Sequence, residues 1–167
     1  LDGYGYLPKE LWHLWLINTR TGKARQLTDH PVYEELQPVW SPDGSQIAFM
    51  SNRSDDPDLD PDAVDLFVAS STTGRIRRIE TPIGGKSLPQ FSPEGTRIAY
   101  FGQEGRGNGW KNAHLFVADI SGKTPVCNLT GKNDFCISSG TINDTGSPAQ
   151  NKPTWSPDGR SIYFQMP

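Results

Sequence analysis

Cysteine is scarce in this chain. The only two, Cys127 and Cys136, do not fix a redox compartment, and two free thiols are favoured over a disulfide. Positive charge is not in excess either. The net charge of −3 offers nothing to nucleic acid or to an anionic membrane surface. No apolar run approaches the length of a membrane span. No signal-like segment follows Leu1, and a chain that starts without Met reads as a processed product or an excerpt. There is no G-x-S-x-G nucleophile elbow. The three histidines, His13, His30 and His114, lack the neighbours of a general base or of a zinc site. These absences leave no catalytic residue, no metal centre and no cofactor site to expect. Compartment stays open between cytoplasm, periplasm and secretion. The sequons at Asn52, Asn128 and Asn143 permit secretion without establishing it.

Turn formers and aromatics, by contrast, are plentiful. Seventeen Gly, fourteen Pro and five Trp suit an all-β domain with many turns better than a helical bundle. The chain also repeats itself. Trp40-Ser41-Pro42-Asp43-Gly44 precedes Ile47-Ala48-Phe49. Phe91-Ser92-Pro93-Glu94-Gly95 precedes Ile98-Ala99-Tyr100. Trp155-Ser156-Pro157-Asp158-Gly159 precedes Ile162-Tyr163-Phe164. Each aromatic has a proline two positions before it, at Pro38, Pro89 and Pro153. Between these strings lie Leu14-Trp15-Leu16-Ile17, Leu66-Phe67-Val68-Ala69 and Leu115-Phe116-Val117-Ala118, each leading to a turn at Gly22, Gly74 or Gly122.

The chemistry of each string is local. In Ser-Pro-Asp-Gly, proline sets φ for the second position of a type I turn, and Gly supplies the left-handed residue that closes a hairpin. The apolar runs are short and bounded by turns, so they read as strands buried on both faces. Sheets stacked around an axis bury strands in that way. The fold class predicted is therefore all-β, a partial β-propeller of four-stranded antiparallel blades. One unit runs A (ending at the aromatic before Ser-Pro), B (Ile-Ala-Phe), C (Leu-Phe-Val-Ala) and D. The chain then divides into strands C and D of a blade over 1–30, whole blades over 36–80 and 88–130, and strands A and B of a blade over 151–167. The spacing Trp40 to Phe91 is 51 residues and Phe91 to Trp155 is 64, so the excess over a minimal blade sits in connections.

Those connections are unequal in an ordered way. A–B and C–D are tight turns. B–C, at 52–64 and 102–113, and D–A, at 131–152, are long and emerge together on the opposite face. Variable loops on a rigid scaffold are where binding usually resides. On that face Arg53, Glu104, Arg106 and Trp110 are the candidate substrate or domain contacts, weighed against plain surface salt bridges and packing. Pro42, Asp43, Gly44, Pro93, Gly95, Pro157, Asp158 and Gly159 are structural turn residues. The run Asp55-Asp56-Pro57-Asp58-Leu59-Asp60-Pro61-Asp62 has hard ligands for calcium but lacks the Gly and the distal Glu of an EF-hand loop. It reads as a stiff acidic loop. The four glycines of 102–109 are not a phosphate loop, because no Lys-Ser/Thr and no helix follow.

These strings resemble the propeller repeat shared by TolB-type periplasmic proteins and the prolyl oligopeptidase family of serine peptidases. A longer similarity covers Gly3–Thr28, then Ser51-Asn52-Arg53 and the Asp-Pro-Asp loop before Asp65-Leu66-Phe67. It is similar to the N-terminal propeller of the acylaminoacyl-peptidase and dipeptidyl-peptidase branch. The resemblance implies a C-terminal α/β-hydrolase domain carrying the catalytic residues outside this chain. It further implies that this segment, with the remaining blades, covers that site, admits short peptides and helps hold them. A non-enzymatic TolB-like interaction propeller is the main alternative, and a carbohydrate-binding propeller a weaker one.

Overall fold

The computed structural model describes residues 10–137 and 151–165. The Gly3–Tyr6 part of the motif, the sequon at Asn143 and most of the 131–152 connection lie outside them. The strands are β1 (Trp15–Ile17), β2 (Ala24–Gln26), β3 (Leu36–Trp40), β4 (Gln46–Asn52), β5 (Val64–Ser70), β6 (Ile76–Ile79), β7 (Lys86–Phe91), β8 (Arg97–Gly102), β9 (His114–Asp119), β10 (Cys127–Asn128), β11 (Thr154–Trp155) and β12 (Ile162–Tyr163). They form four antiparallel sheets, β1-β2, β3-β4-β5-β6, β7-β8-β9-β10 and β11-β12. No helix occurs among the described residues. The third sheet starts at Lys86 rather than 88, because Lys86 already pairs with Gly102.

Alternation along each strand feeds two different cores. Ile47 and Phe49 of β4 face back to Leu14, with Phe67 and Ala69. Ala48 and Met50 face forward to Phe91, Ile98, Tyr100 and Phe116. Ala99, Phe101 and Leu115 face onward to Trp155 and Ile162. Every inner strand is thus apolar at consecutive positions because each face meets a neighbouring sheet. The first strands of successive sheets, β3 with β7 and β7 with β11, approach one another. This places them nearest the stacking axis, and the fold is a partial β-propeller with two complete four-stranded blades.

The two Ser-Pro-Asp-Gly turns and the Ser-Pro-Glu-Gly turn at 92–95 are alike. The Gly44, Gly95 and Gly159 amides donate to Ser41, Ser92 and Ser156 carbonyls, each at 2.9 Å, with the glycines at φ 71°, 73° and 67°. Asp43 Oδ1 accepts from Ser41 Oγ at 2.6 Å and from the Ser45 amide at 3.0 Å. The serine hydroxyl and these neighbouring donors hold the Asp43 carboxyl down at about 2. Its folded value lies below the unfolded 3.8, so its contribution is present above that value and lost as pH falls toward 2. On the same side, Arg25 Nη2 donates to the Ser71 carbonyl at 2.6 Å and Arg77 Nη1 to the Ile120 carbonyl at 2.7 Å. These equivalent arginines each clasp the next blade.

The inner strands carry matching irregularities. The register of β3 shifts between Leu36 and Val39, and that of β7 between Ser87 and Gln90. Gln37 and Leu88 take φ of 54° and 55°, an unfavourable choice for a side-chain-bearing residue. Each precedes a proline. Gln37 Oε1 accepts from the Leu88 amide at 2.6 Å, so one bulge is tied to the next across the blade boundary.

Two buried hydroxyls among the described residues, those of Thr81 and Tyr100, have no hydrogen-bond partner. Tyr100 is 1% exposed and its hydroxyl makes no hydrogen bond. Phe49 holds the equivalent position one blade earlier. Tyr100→Phe is expected to raise stability by about 1 kcal/mol, by removing an unsatisfied buried hydroxyl. Burial, reinforced by Glu104 and Asp65, also pushes the phenol pKa well above 10.0. The folded state therefore keeps a proton that the unfolded state loses above pH 10, and stability falls there. Urea titrations from pH 7 to 11 should show that alkaline loss reduced in the variant. An unchanged midpoint and an unchanged pH slope would rule this out.

Candidate interaction site on the long-connection face

Strand direction separates the connections. The β1–β2, β3–β4, β5–β6, β7–β8, β9–β10 and β11–β12 turns share one face. The β2–β3, β4–β5, β6–β7 and β8–β9 connections share the other. Among the described connections, the exposed large apolar side chains Val32, Leu59, Ile83 and Trp110 all lie on the second face.

A hydrogen-bonded group on that face surrounds Glu35, whose carboxylate is fully buried just before β3. Arg53 Nη2 donates to Glu35 Oε1 at 2.8 Å. Thr28 Oγ1 donates to Glu35 Oε2 at 2.5 Å, and His13 Nδ1 lies 3.1 Å from the same oxygen. Thr28 Oγ1 also accepts from the Leu14 amide at 2.9 Å. The Arg53 guanidinium lies 4.8 Å from the Phe67 ring centroid and 5.6 Å from that of Tyr33. Ionised hydrogen bonds of this kind are the strong ones. They join the first blade, through His13 and Thr28, to the second, through Glu35 and Arg53.

At the next blade boundary Lys86 takes the place of Glu35. Its Nζ is buried, donates to the Val64 and Gly84 carbonyls at 2.7 and 2.9 Å, and lies 3.5 Å from Asp65 Oδ1. Arg78 Nε is 2.9 Å from Asp65 Oδ2. Burial pushes the Lys86 pKa down, against the pull of Asp65.

The two long loops clasp each other. Arg106 Nη1 is 2.9 Å from Asp60 Oδ2, and the Gly107 amide donates to Asp62 Oδ2 at 2.5 Å. Asn52 Nδ2 donates inward to the Asp60 carbonyl at 2.6 Å, so this sequon amide is engaged in the loop. No three His, Cys, Asp or Glu side chains converge to hold a metal among the described residues.

The structure therefore separates the candidate contacts. Arg53 is mostly buried and engaged with Glu35. Arg106 bridges two loops. Glu104 accepts from Asn108 Nδ2 through its carbonyl at 2.6 Å and places its charge near Tyr100. Trp110, 79% exposed, lines an open cleft of about 500 Å³ with Lys111, His114, Lys132 and Asp134. Lys111 Nζ lies 5.4 Å from the Trp110 ring centroid. Sequence reasoning missed Glu35, Thr28, Asp65 and Lys86. The available signal was that Glu35 and Lys86 stand equally far before Trp40 and Phe91.

This architecture is that of a TolB-type β-propeller. Solved structures that share it include TolB from Acinetobacter baumannii, with TM-score 0.61 and 17% identity over 91% of this chain and 31% of that one. Oligogalacturonate lyase from Vibrio parahaemolyticus matches with TM-score 0.66 and 18% identity over 94% and 40%. At such identities the likeness is one of fold. In sequence, the chain's relatives are peptidases. The uncharacterized peptidase YuxL of Bacillus subtilis is 28% identical over 168 residues, covering 91% of this chain and 24% of that protein. Dipeptidyl-peptidase 5 of Porphyromonas gingivalis is 32% identical over 128 residues, covering 75% and 16%. The chain thus spans a quarter or less of the length of these relatives. No family model matches it.

Proposed function

We propose that this segment is the substrate-admitting propeller of a serine peptidase acting on short peptides, of dipeptidyl- or acylaminoacyl-peptidase type. The catalytic α/β-hydrolase domain and the other blades would be contributed by further parts of the same protein. The observation that carries this reading is the sequence relationship to two peptidases over most of the chain. The confinement of exposed apolar connection residues to one face supports it. That face would meet the hydrolase domain and the incoming peptide, with Trp110 as a rigid apolar contact. The segment's own chemistry is positional. Buried ion pairs and clasped loops hold the face in one shape.

The test uses the full-length protein with dipeptidyl- and acylaminoacyl-nitroanilides. Turnover abolished by a serine-directed inhibitor is expected. Trp110→Ala should raise KM by roughly threefold to tenfold, the loss of one well-packed aromatic contact. Arg75→Ala, at a tight turn on the other face, should leave kinetics unchanged. A full-length protein without hydrolase activity would instead support the interaction-propeller reading. Activity with equal kinetics in both variants would remove the assignment of substrate contact to the Trp110 cleft.

A further inference from the structure

Strand register makes three positions on the long-connection face equivalent from blade to blade. Trp40 pairs with Ile47 and Phe91 with Ile98, which equates Glu35 with Lys86 and Arg53 with Glu104. Leu66 pairs with Ile79, and the Leu27 amide bonds the Leu14 carbonyl, which equates His13 with Asp65. At the buried position the charge reverses, Glu35 against Lys86, and Asp65 stands where the first blade has His13. The first boundary is a buried carboxylate among Arg53, His13 and Thr28. The second is a buried ammonium beside Asp65. Much of the rest of the two units is nearly interchangeable. Their middle strands, β4 with β8 and β5 with β9, bury similar residues at equivalent places, and both units carry the bulge and the Ser-Pro turn.

We infer that the inverted buried charges Glu35 and Lys86 select against two particular wrong dockings, the third blade on the first and the second blade on another second blade. Blades this similar could pack out of order, within one chain or between two, and misassembly of that kind is a characteristic failure of repeat proteins. If the third blade docked on the first, Lys86 would meet His13 in place of Asp65 and bury without a carboxylate. If the second blade of one chain docked on the second blade of another, Glu35 would meet Asp65. Both wrong pairings bury an uncompensated or repelled charge, whereas apolar contacts alone would tolerate them. A lock that only stabilised would not need its polarity reversed at the next boundary.

Three variants of the full-length protein test this. Glu35→Lys alone should fold poorly, with a urea midpoint well below that of Glu35→Gln. The triple variant His13→Asp, Glu35→Lys, Arg53→Glu copies the second boundary's charges onto the first and should regain much of that loss. With both boundaries now alike, its refolding from urea should return about tenfold less monomer than wild type, the missing material appearing as dimers and larger species, because the like-charge penalty on wrong docking is gone. Wild-type monomer yield from the triple variant would overturn the inference. So would a triple variant no more stable than Glu35→Lys, or a Glu35→Lys variant equal to Glu35→Gln.

Discussion

Glu35→Ala is expected to cost about 3–5 kcal/mol, the range for removing one partner of a buried charge pair. The carboxylate is fully enclosed and its two oxygens receive three partners from two blades. Its removal leaves the Arg53 guanidinium, 23% exposed, facing a gap between Phe67 and Tyr33 with only part of it able to reach water. The lower end of the range is the better expectation for that reason, and the melting temperature should fall by about 10 °C. Arg53→Ala should behave similarly, since it strands the carboxylate instead. A control separates burial from ion pairing as such. Arg97 and Glu94 approach as closely, at 2.7 Å, but with side chains 41% and 39% exposed. Glu94→Ala should therefore change stability by no more than about 1 kcal/mol, as exposed pairs do. Urea denaturation of the three variants beside wild type measures both effects. Equal, small losses in all three would show that the Glu35 cluster is solvated in solution.

The contrast also marks what was legible in the amino-acid sequence. Turn chemistry is local, so Ser-Pro-Asp-Gly at 41–44 and 156–159 announces its hairpins without reference to anything distant. The apolar runs announce burial on both faces, and the structure divides them between two cores as Ile47 and Phe49 against Ala48 and Met50. Strand count and blade architecture follow from these alone. Glu35 could not be found in that way. Nothing in Tyr-Glu-Glu-Leu distinguishes the fully buried Glu35 from the half-buried Glu34, because the burial comes from His13 and Thr28 of the preceding blade. Arg53 was recognisable as a residue of the long-connection face, but its partner lies 18 residues earlier, beside the neighbouring strand of the same blade. The bulges at Gln37 and Leu88 are a further case. A proline two positions before each aromatic is visible, yet a residue before proline normally prefers extended backbone, and the left-handed φ is imposed by the packing of inner strands. Local rules fail here at places where a second blade supplies the determining contact.

That dependence on neighbours leads to the second large effect. Residues 1–167 expressed alone should self-associate at micromolar concentration. Trp15 and Ile17 on β1 and Leu36 and Trp40 on β3 are all more than 40% exposed, and they share an apolar cleft of about 600 Å³. Contiguous exposed apolar surface of this kind is rarely left open in a monomer. The strand edges add to it, since among the described residues β1 pairs only with β2 and β12 only with β11, and an unpaired edge is a template for another chain. Stacked repeats take their stability from neighbour interfaces, which such a segment has only on part of its surface. Light scattering after size exclusion should show dimers and larger species. Placing charge on the strip, as Trp15→Glu with Trp40→Glu, should shift the population toward monomer, whereas Trp110→Glu on the long-connection face should shift it much less. The difference between those two variants separates blade-to-blade association from contact through the face proposed to meet substrate. A wild-type segment that runs as a clean monomer and melts in one sharp transition would show that its three inter-sheet cores suffice on their own.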